Sequence, residues 1–214
     1  AVHTIFTEPD GAWVDVDRDI PWIDNGRRLL WLSDRDGWRH VYSVSRDGRD
    51  VRLLTPGAYD VERIDAVDER DNILYITASP DNATQRYLYR VPLRNGGPAT
   101  RVTPAGHAGT HAYQISPTGT WAIHTYSNFD TPPVTDLVQL PNHTTARTLV
   151  TNDKLRAAVA DLIASPVEFF KVPVGDGVTL DGWMLHSRDF DPSRKYPVFV
   201  YVYGEPSAQP VTDS

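Results

Sequence analysis

Seven histidines, ten tyrosines and no cysteine set the chemistry open to this 214-residue chain. Without a thiol, neither a thiolate nucleophile nor a disulfide is available, and a cysteine-free chain suits either redox environment. Acyl transfer by serine needs a nucleophile raised on a sharp turn, a base, an orienting acid and donors for the oxyanion. No Gly-x-Ser-x-Gly occurs in the sequence, so that turn is missing. His3, His40, His107, His111, His124, His143 and His186 are scattered over expected strands and loops and read as packing or surface residues. His107 and His111 have a metal-compatible spacing, but Gly106 and Gly109 make that stretch a loop and no carboxylate cluster accompanies it. Zinc is not expected there, and no cofactor is expected elsewhere. Glu62, Glu69 and Glu168 stand apart and read as surface or strand carboxylates. Asn82-Ala83-Thr84 and Asn142-His143-Thr144 match the N-glycosylation pattern, which short sequences also produce by chance.

The elements that would position any such group are strands. Three segments share one order of features. The first runs Arg28-Leu29-Leu30-Trp31-Leu32-Ser33, a turn at Asp34–Gly37, His40-Val41-Tyr42-Ser43-Val44, a turn at Arg46–Gly48, then Val51-Arg52-Leu53-Leu54-Thr55-Pro56. The second has Ile73-Leu74-Tyr75-Ile76, Tyr87-Leu88-Tyr89-Arg90-Val91 and Arg101-Val102-Thr103-Pro104. The third has Trp121-Ala122-Ile123-His124, Leu137-Val138-Gln139-Leu140 and Thr148-Leu149-Val150-Thr151. The two Thr-Pro pairs lie 48 positions apart and Tyr42 and Tyr89 lie 47 apart. Apolar and polar residues alternate at period two between Asp-Gly or Asn-Gly turns, as half-buried hairpins require. One more short strand follows each of the first two units, at Val61–Ile64 and His111–Ile115. Four strands per repeat of 40–50 residues is the signature of a propeller blade, with a β-sandwich as the alternative. Three blades cannot close a ring, so the remaining edges need further blades or another chain.

After Thr151 the pattern changes. Asn152 or Asp153 can cap a helix over Lys154–Ile163, with Leu155, Val159 and Leu162 on one face and Ser165-Pro166 as its stop. Val167–Val174 and Val178–His186 then alternate as a hairpin about Gly175-Asp176-Gly177. A polar loop, Arg188–Lys195, leads to Val198-Phe199-Val200-Tyr201-Val202-Tyr203, whose continuous apolar character predicts a strand buried on both faces of a sheet. The expected organisation is therefore propeller blades over 1–151, a helical connector over 152–166, and the opening strands of a second domain over 167–214.

Three stretches resemble the prolyl oligopeptidase family of serine peptidases, and most closely its dipeptidyl peptidase IV branch. Lys195-Tyr196-Pro197-Val198-Phe199-Val200-Tyr201-Val202-Tyr203-Gly204-Glu205-Pro206 is similar to the family's K-Y-P, apolar strand, V-Y-G-G-P signature, and continues into Ser207-Ala208-Gln209 as the family does. Asp176-Gly177-Val178-Thr179-Leu180-Asp181-Gly182-Trp183 resembles its D-G-x-x-L-x-G-W hairpin, and Asp36-Gly37-Trp38-Arg39-His40-Val41-Tyr42 its G-[YW]-R-H-[IVL]-Y blade motif, with Trp13-Val14 fitting the tryptophan before that blade. The resemblance implies an eight-bladed propeller capping an α/β-hydrolase domain, of which this chain holds the last blades and the first hydrolase strands. It implies an exopeptidase that removes dipeptides with Pro or Ala in second position. It also implies that the serine, the acid and the histidine lie beyond Ser214 in chain order, so that this piece alone is inactive.

One catalytic component falls within the chain. The tyrosine of V-Y-G-G-P donates its hydroxyl to the oxyanion, and that position is Tyr203. Read without the resemblance, Tyr203 is a tyrosine at the end of a buried strand with a locally satisfied hydroxyl. The sequence departs from the family at Glu205, where the second glycine of the signature is replaced by a carboxylate that would oppose an oxyanion if it turned inward. The family's paired glutamates for the substrate amine are not in this chain.

The net charge of −7, with no basic stripe, excludes a nucleic-acid partner. No apolar run approaches a membrane span, and the opening Ala1-Val2-His3-Thr4 is neither basic nor apolar, so it does not read as a signal peptide. The absence of an initial Met fits a processed or trimmed start. The expected partners are a peptide substrate and the remainder of the same protein, with a homodimer and a periplasmic or extracytoplasmic location implied by the resemblance. The alternative function is a propeller-type binding module or a pseudo-peptidase, which Glu205 favours.

Overall fold

The computed structural model describes residues 2–8, 14, 19–160, 167–204 and 209–214. Within them the alternating segments fold into three four-stranded antiparallel sheets. The first contains β1 (Trp22–Ile23), β2 (Arg28–Ser33), β3 (His40–Ser45) and β4 (Val51–Leu53). The second contains β5 (Val61–Asp68), β6 (Ile73–Ala78), β7 (Tyr87–Pro92) and β8 (Thr100–Arg101). The third contains β9 (Thr110–Ile115), β10 (Trp121–Asn128), β11 (Thr131–Gln139) and β12 (Thr144–Val150). Each sheet follows chain order, so every connection is a hairpin. The strands expected after each unit instead open the next one: β5 pairs β6 and β9 pairs β10, while Trp22–Ile23 opens the first blade. Hydrogen bonding decides this, because a strand joins the neighbour that can receive its ladder.

Successive residues of a strand point to opposite faces, and the second sheet buries both. Leu74, Ile76, Tyr87, Tyr89 and Val91, with Val61 of the same blade, join a core with Leu30, Val41 and Leu54 of the neighbouring first blade. Tyr75 and Leu88, between them in sequence, join Val102, Tyr113, Ala122, Val138 and Leu140 toward the third blade. Two cores on the two faces of one sheet is the stacking of propeller blades and excludes the two-layer sandwich.

The repeated Thr-Pro has a specific task. Thr55 Oγ1 accepts the Val41 N–H at 2.9 Å, and Thr103 Oγ1 accepts the Leu88 N–H at 2.8 Å. Beside them the Leu54 N–H reaches Val41 O and the Val102 N–H reaches Leu88 O, each at 2.8 Å. The threonine closes the ladder where the following proline cannot donate. Thr151, the third equivalent, instead donates to Asp153 at 2.7 Å as the chain turns into the helix.

Tyr75 is fully buried in the seam between the second and third blades, and its hydroxyl donates to Gly119 O at 3.2 Å. Tyr75→Ala is expected to cost about 3–5 kcal/mol through the cavity it leaves, and Tyr75→Phe about 1 kcal/mol. The shift in denaturant midpoint measures both. Equal losses for the two variants would assign the whole effect to the hydroxyl.

The helix α1 spans Asp153–Ala160, and no residue on it is buried. Residues 161–166, which include Leu162, Ile163 and the expected Ser165-Pro166 stop, lie outside the described residues.

Candidate active-site segment

Among the described residues beyond α1, β13 (Glu168–Gly175) pairs with β14 (Val178–Met184) as a hairpin. Its two-residue turn has Asp176 at φ 50° and Gly177 at φ 77°, the pair of positive angles that Asp-Gly supplies. Lys171 faces Asp181 across the ladder and binds it at 2.6 Å. Phe129, at the tip between β10 and β11, sits 5.8 Å from Phe169 and 5.2 Å from Trp183 between ring centroids, which places the hairpin against the third blade.

The polar loop after β14 is organised about Tyr196. Its hydroxyl accepts the Asp191 N–H at 2.9 Å and donates to Asp189 O at 3.3 Å, and its ring lies 5.3 Å from Phe190. The Asp191 carboxylate accepts the N–H and hydroxyl of Ser193, which holds its pKa below the usual range.

The strand expected at Val198–Tyr203 does not form. These residues carry no ladder, and Val198 to Val202 are each more than 70% exposed, with Phe199 at 91%. The reason is non-local: a strand buried on both faces needs a neighbour on each side, and no described strand of this chain pairs with it. Tyr203 is 47% exposed. No serine–histidine–acid constellation is brought to it among the described residues. Glu205 and Trp13 lie outside the described residues.

Two groupings escaped the sequence reading. The first is aromatic and imidazole-rich, in the third blade. His111 Nε2 donates to His107 O at 3.1 Å, and His111 Nδ1 lies 2.8 Å from His124 Nε2, with the two rings stacked at 5.1 Å. The carbonyl can only accept, which fixes His111 as the Nε2–H tautomer and makes His124 Nε2 the donor between the rings. His124 Nδ1 is then a buried acceptor without a hydrogen-bond partner, 3.9 Å from Asp136. Tyr113 stacks on His124 at 4.7 Å, and its hydroxyl bonds His143 Nε2 and Thr103 Oγ1, each at 2.8 Å. Burial pulls His111 down to about 4 and His124 down to about 3, and lowers His143 as well. The only sequence signal was that His111 and His124 hold alternate positions on adjacent strands.

The second grouping is a pocket of about 180 Å³ between the first and second blades, lined among others by Trp38, Asp60, Glu62, Asp81 and Arg86. The buried Arg86 forms an ion pair with Glu62, so Glu62 is not the solitary carboxylate that the sequence suggested. Glu69 accepts the Asp24 N–H at 2.7 Å, and Glu168 lies 3.3 Å from His186.

The architecture is that of a β-propeller made of four-stranded antiparallel blades. The family profile described as "Dipeptidyl peptidase IV (DPP IV) N-terminal region" matches residues 1–133, and the chain belongs to the dipeptidyl peptidase IV family. It is 27% identical over 220 residues to a protein of Aspergillus flavus named probable dipeptidyl peptidase 4, covering 98% of this chain and 28% of that one. A probable dipeptidyl peptidase 4 of Emericella nidulans is 29% identical over 184 residues, 85% of this chain and 23% of that protein. Among solved structures, Porphyromonas gingivalis dipeptidyl peptidase 4 superposes with a TM-score of 0.77 at 27% identity, over 91% of this chain and 27% of that chain. A putative dipeptidyl aminopeptidase IV of Bacteroides ovatus gives 0.71 at 25% identity, over 91% of this chain and 30% of that chain. The chain thus spans about a quarter of the length of the relatives it matches.

Proposed function

We propose that this chain is part of a serine exopeptidase that releases N-terminal dipeptides, with Pro or Ala second, from peptides. In this reading residues 1–151 are propeller blades that wall the substrate cavity, 152–166 are the connector, and 167–214 begin the hydrolase domain. Tyr203 is the oxyanion donor. The serine, acid and histidine come from the remainder of the same protein, and no cofactor takes part. The observation that carries the reading is order within one chain: stacked blades, a helix, the Asp-Gly hairpin, and then Lys195–Gly204 with the family's strand sequence.

A neutral phenol suits the oxyanion role because it places a dipole where negative charge develops and needs no proton movement of its own. Its rigidity would come from docking Val198–Val202 between partner strands. A homodimer and an extracytoplasmic location belong to this reading as implications of the family resemblance alone.

A second reading, a non-catalytic binding module, rests on Glu205 in place of glycine. Fluorophosphonate labelling of the complete protein, paired with release of a chromophore from a Gly-Pro conjugate, separates the two. Labelling with turnover is expected, and the 214-residue chain alone should take no label. A folded complete protein that neither labels nor turns over would leave only the binding module.

A further inference from the structure

Trp38, Asn82 and Phe129 stand in the hairpins between the second and third strands of successive blades, so they share one rim of the propeller. Phe129 meets the β13–β14 hairpin, so this rim faces the segment assigned above to the hydrolase domain. The pocket of about 180 Å³ lies on it, with Trp38 on the first-blade side and the β6–β7 hairpin on the second-blade side. Gln209 also reaches the pocket, where it accepts from the guanidinium of Arg86.

Asp60, Glu62 and Asp81 place three carboxylates in the lining against one cation, Arg86. That cation is already committed. Its Nε pairs with Glu62, its Nη1 donates to Ala83 O at 2.7 Å and Gln85 O at 2.8 Å, and its Nη2 donates to Gln209. Arg63, which also feels Glu62, is paired with Asp65 at 2.8 Å. Asp60 and Asp81 are exposed, and Asp60 accepts the Arg39 N–H at 2.7 Å through Oδ1. Three carboxylates less one guanidinium leave the lining with a surplus of two negative charges. Two further features point to what would offset it. Trp38 is 41% exposed and gives the wall an indole, the ring that attracts cations best. Tyr59, only 8% exposed, belongs to the same lining, and its buried hydroxyl has no hydrogen-bond partner among the described residues. An ammonium or guanidinium brings the donor such an oxygen lacks.

The size of the pocket narrows the ligand. It falls below the roughly 300 Å³ at which small-molecule sites begin, and suits a single side chain. Among the described residues no three His, Asp or Glu side chains are placed to hold a metal ion, so the cation is organic. We propose that the pocket is a specificity subsite for a lysine or arginine side chain of the peptide substrate, resting on the exopeptidase reading above. The carboxylates of Asp60 and Asp81 attract the charged end, and Trp38 covers the alkyl stem.

The test uses the complete protein and short peptides with proline second, in which lysine or its uncharged isostere norleucine takes each other place in turn. At one of these places lysine is expected to be favoured about 10-fold in kcat/KM. The gain should appear in KM with kcat within about twofold, because a contact equally strong in ground and transition states acts on binding alone. Asp60→Asn and Asp81→Asn should each cut the preference about threefold and leave the norleucine peptides unchanged. Asp81→Lys should turn the preference at that place toward glutamate, and it carries the test with Asp81→Asn if the Asp60 variant does not fold. Salt near 1 M should erode the preference, since the screening length falls to about 3 Å. No preference at any place, or one that survives both asparagine changes, would overturn the proposal. An equal loss on every peptide would assign the pocket to the free amine they all share, and overturn it too. An unaltered protein that hydrolyses none of them would remove the exopeptidase reading instead. Binding of the same peptides, followed by tryptophan fluorescence, then decides the pocket separately: tighter binding of lysine that Asp81→Asn abolishes would keep it, and equal binding would remove it.

Discussion

Replacing Tyr203 by phenylalanine in the complete protein is expected to lower kcat about 10²–10³-fold while leaving KM nearly unchanged. The substitution keeps the ring and removes one O–H. A substrate carbonyl carries little charge in the ground state, so binding is hardly affected. The tetrahedral intermediate carries a full negative charge on that oxygen, and a donor aimed at it acts almost entirely on the transition state. Steady-state kinetics on a dipeptidyl substrate measures the split between kcat and KM. A fall in kcat matched by a rise in KM would point to a binding role, and an unchanged kcat would remove Tyr203 from the chemistry. Glu205→Gly in the same protein, restoring the family residue, gives the sign of the carboxylate's effect.

The second large effect is acid lability of the third blade. His111 and His124 sit at about 4 and about 3 because burial disfavours their charged forms. In the unfolded chain both return to about 6.5, so below that pH the unfolded state binds more protons than the folded one. Their contribution is therefore intact above about pH 6.5 and is lost as pH falls toward the folded values. By pH 5 the loss is about 2 kcal/mol for each histidine. His107, His143, Arg101 and the unpartnered Nδ1 of His124 give an added proton no relief, and Asp136 at 3.9 Å is too distant for a hydrogen bond to receive it. Asp65, raised by burial, works in the opposite direction. Urea midpoints at pH 7.5 and pH 5 should differ accordingly, and His124→Gln should remove about half of the difference while retaining a donor to His111. Equal midpoints at the two pH values would show that the pair is charged in the fold.

The blades were legible in the sequence because their information is local. Period-two alternation, Asp-Gly turns and the spaced Thr-Pro pairs each act within one hairpin, and β2, β3, β6 and β7 lie where these signals put them. Which blade owned Val61–Asp68 was not legible, because a strand between two sheets is assigned by its ladder rather than its composition. The same limit explains Val198–Tyr203, whose apolar residues announce a buried strand but cannot supply the neighbours that would bury it. The imidazole pair was missed for another reason: thirteen positions separate His111 and His124, and only the β9–β10 hairpin brings them together. Within the site, motif similarity alone pointed to Tyr203, and no geometry in this chain could have done so.

The bare run Val198–Val202 has a consequence for how such a protein is made. The blades lie earlier in the chain and the second buries both of its faces, so that part can mature while later residues are still being added during synthesis. The valine- and aromatic-rich stretch then emerges as a sticky ribbon with neither flank covered, and any like ribbon nearby offers it a ladder. For that interval the nascent polypeptide is a natural client for a chaperone, and crowded ribosomes on one message would set the hazard of aggregation.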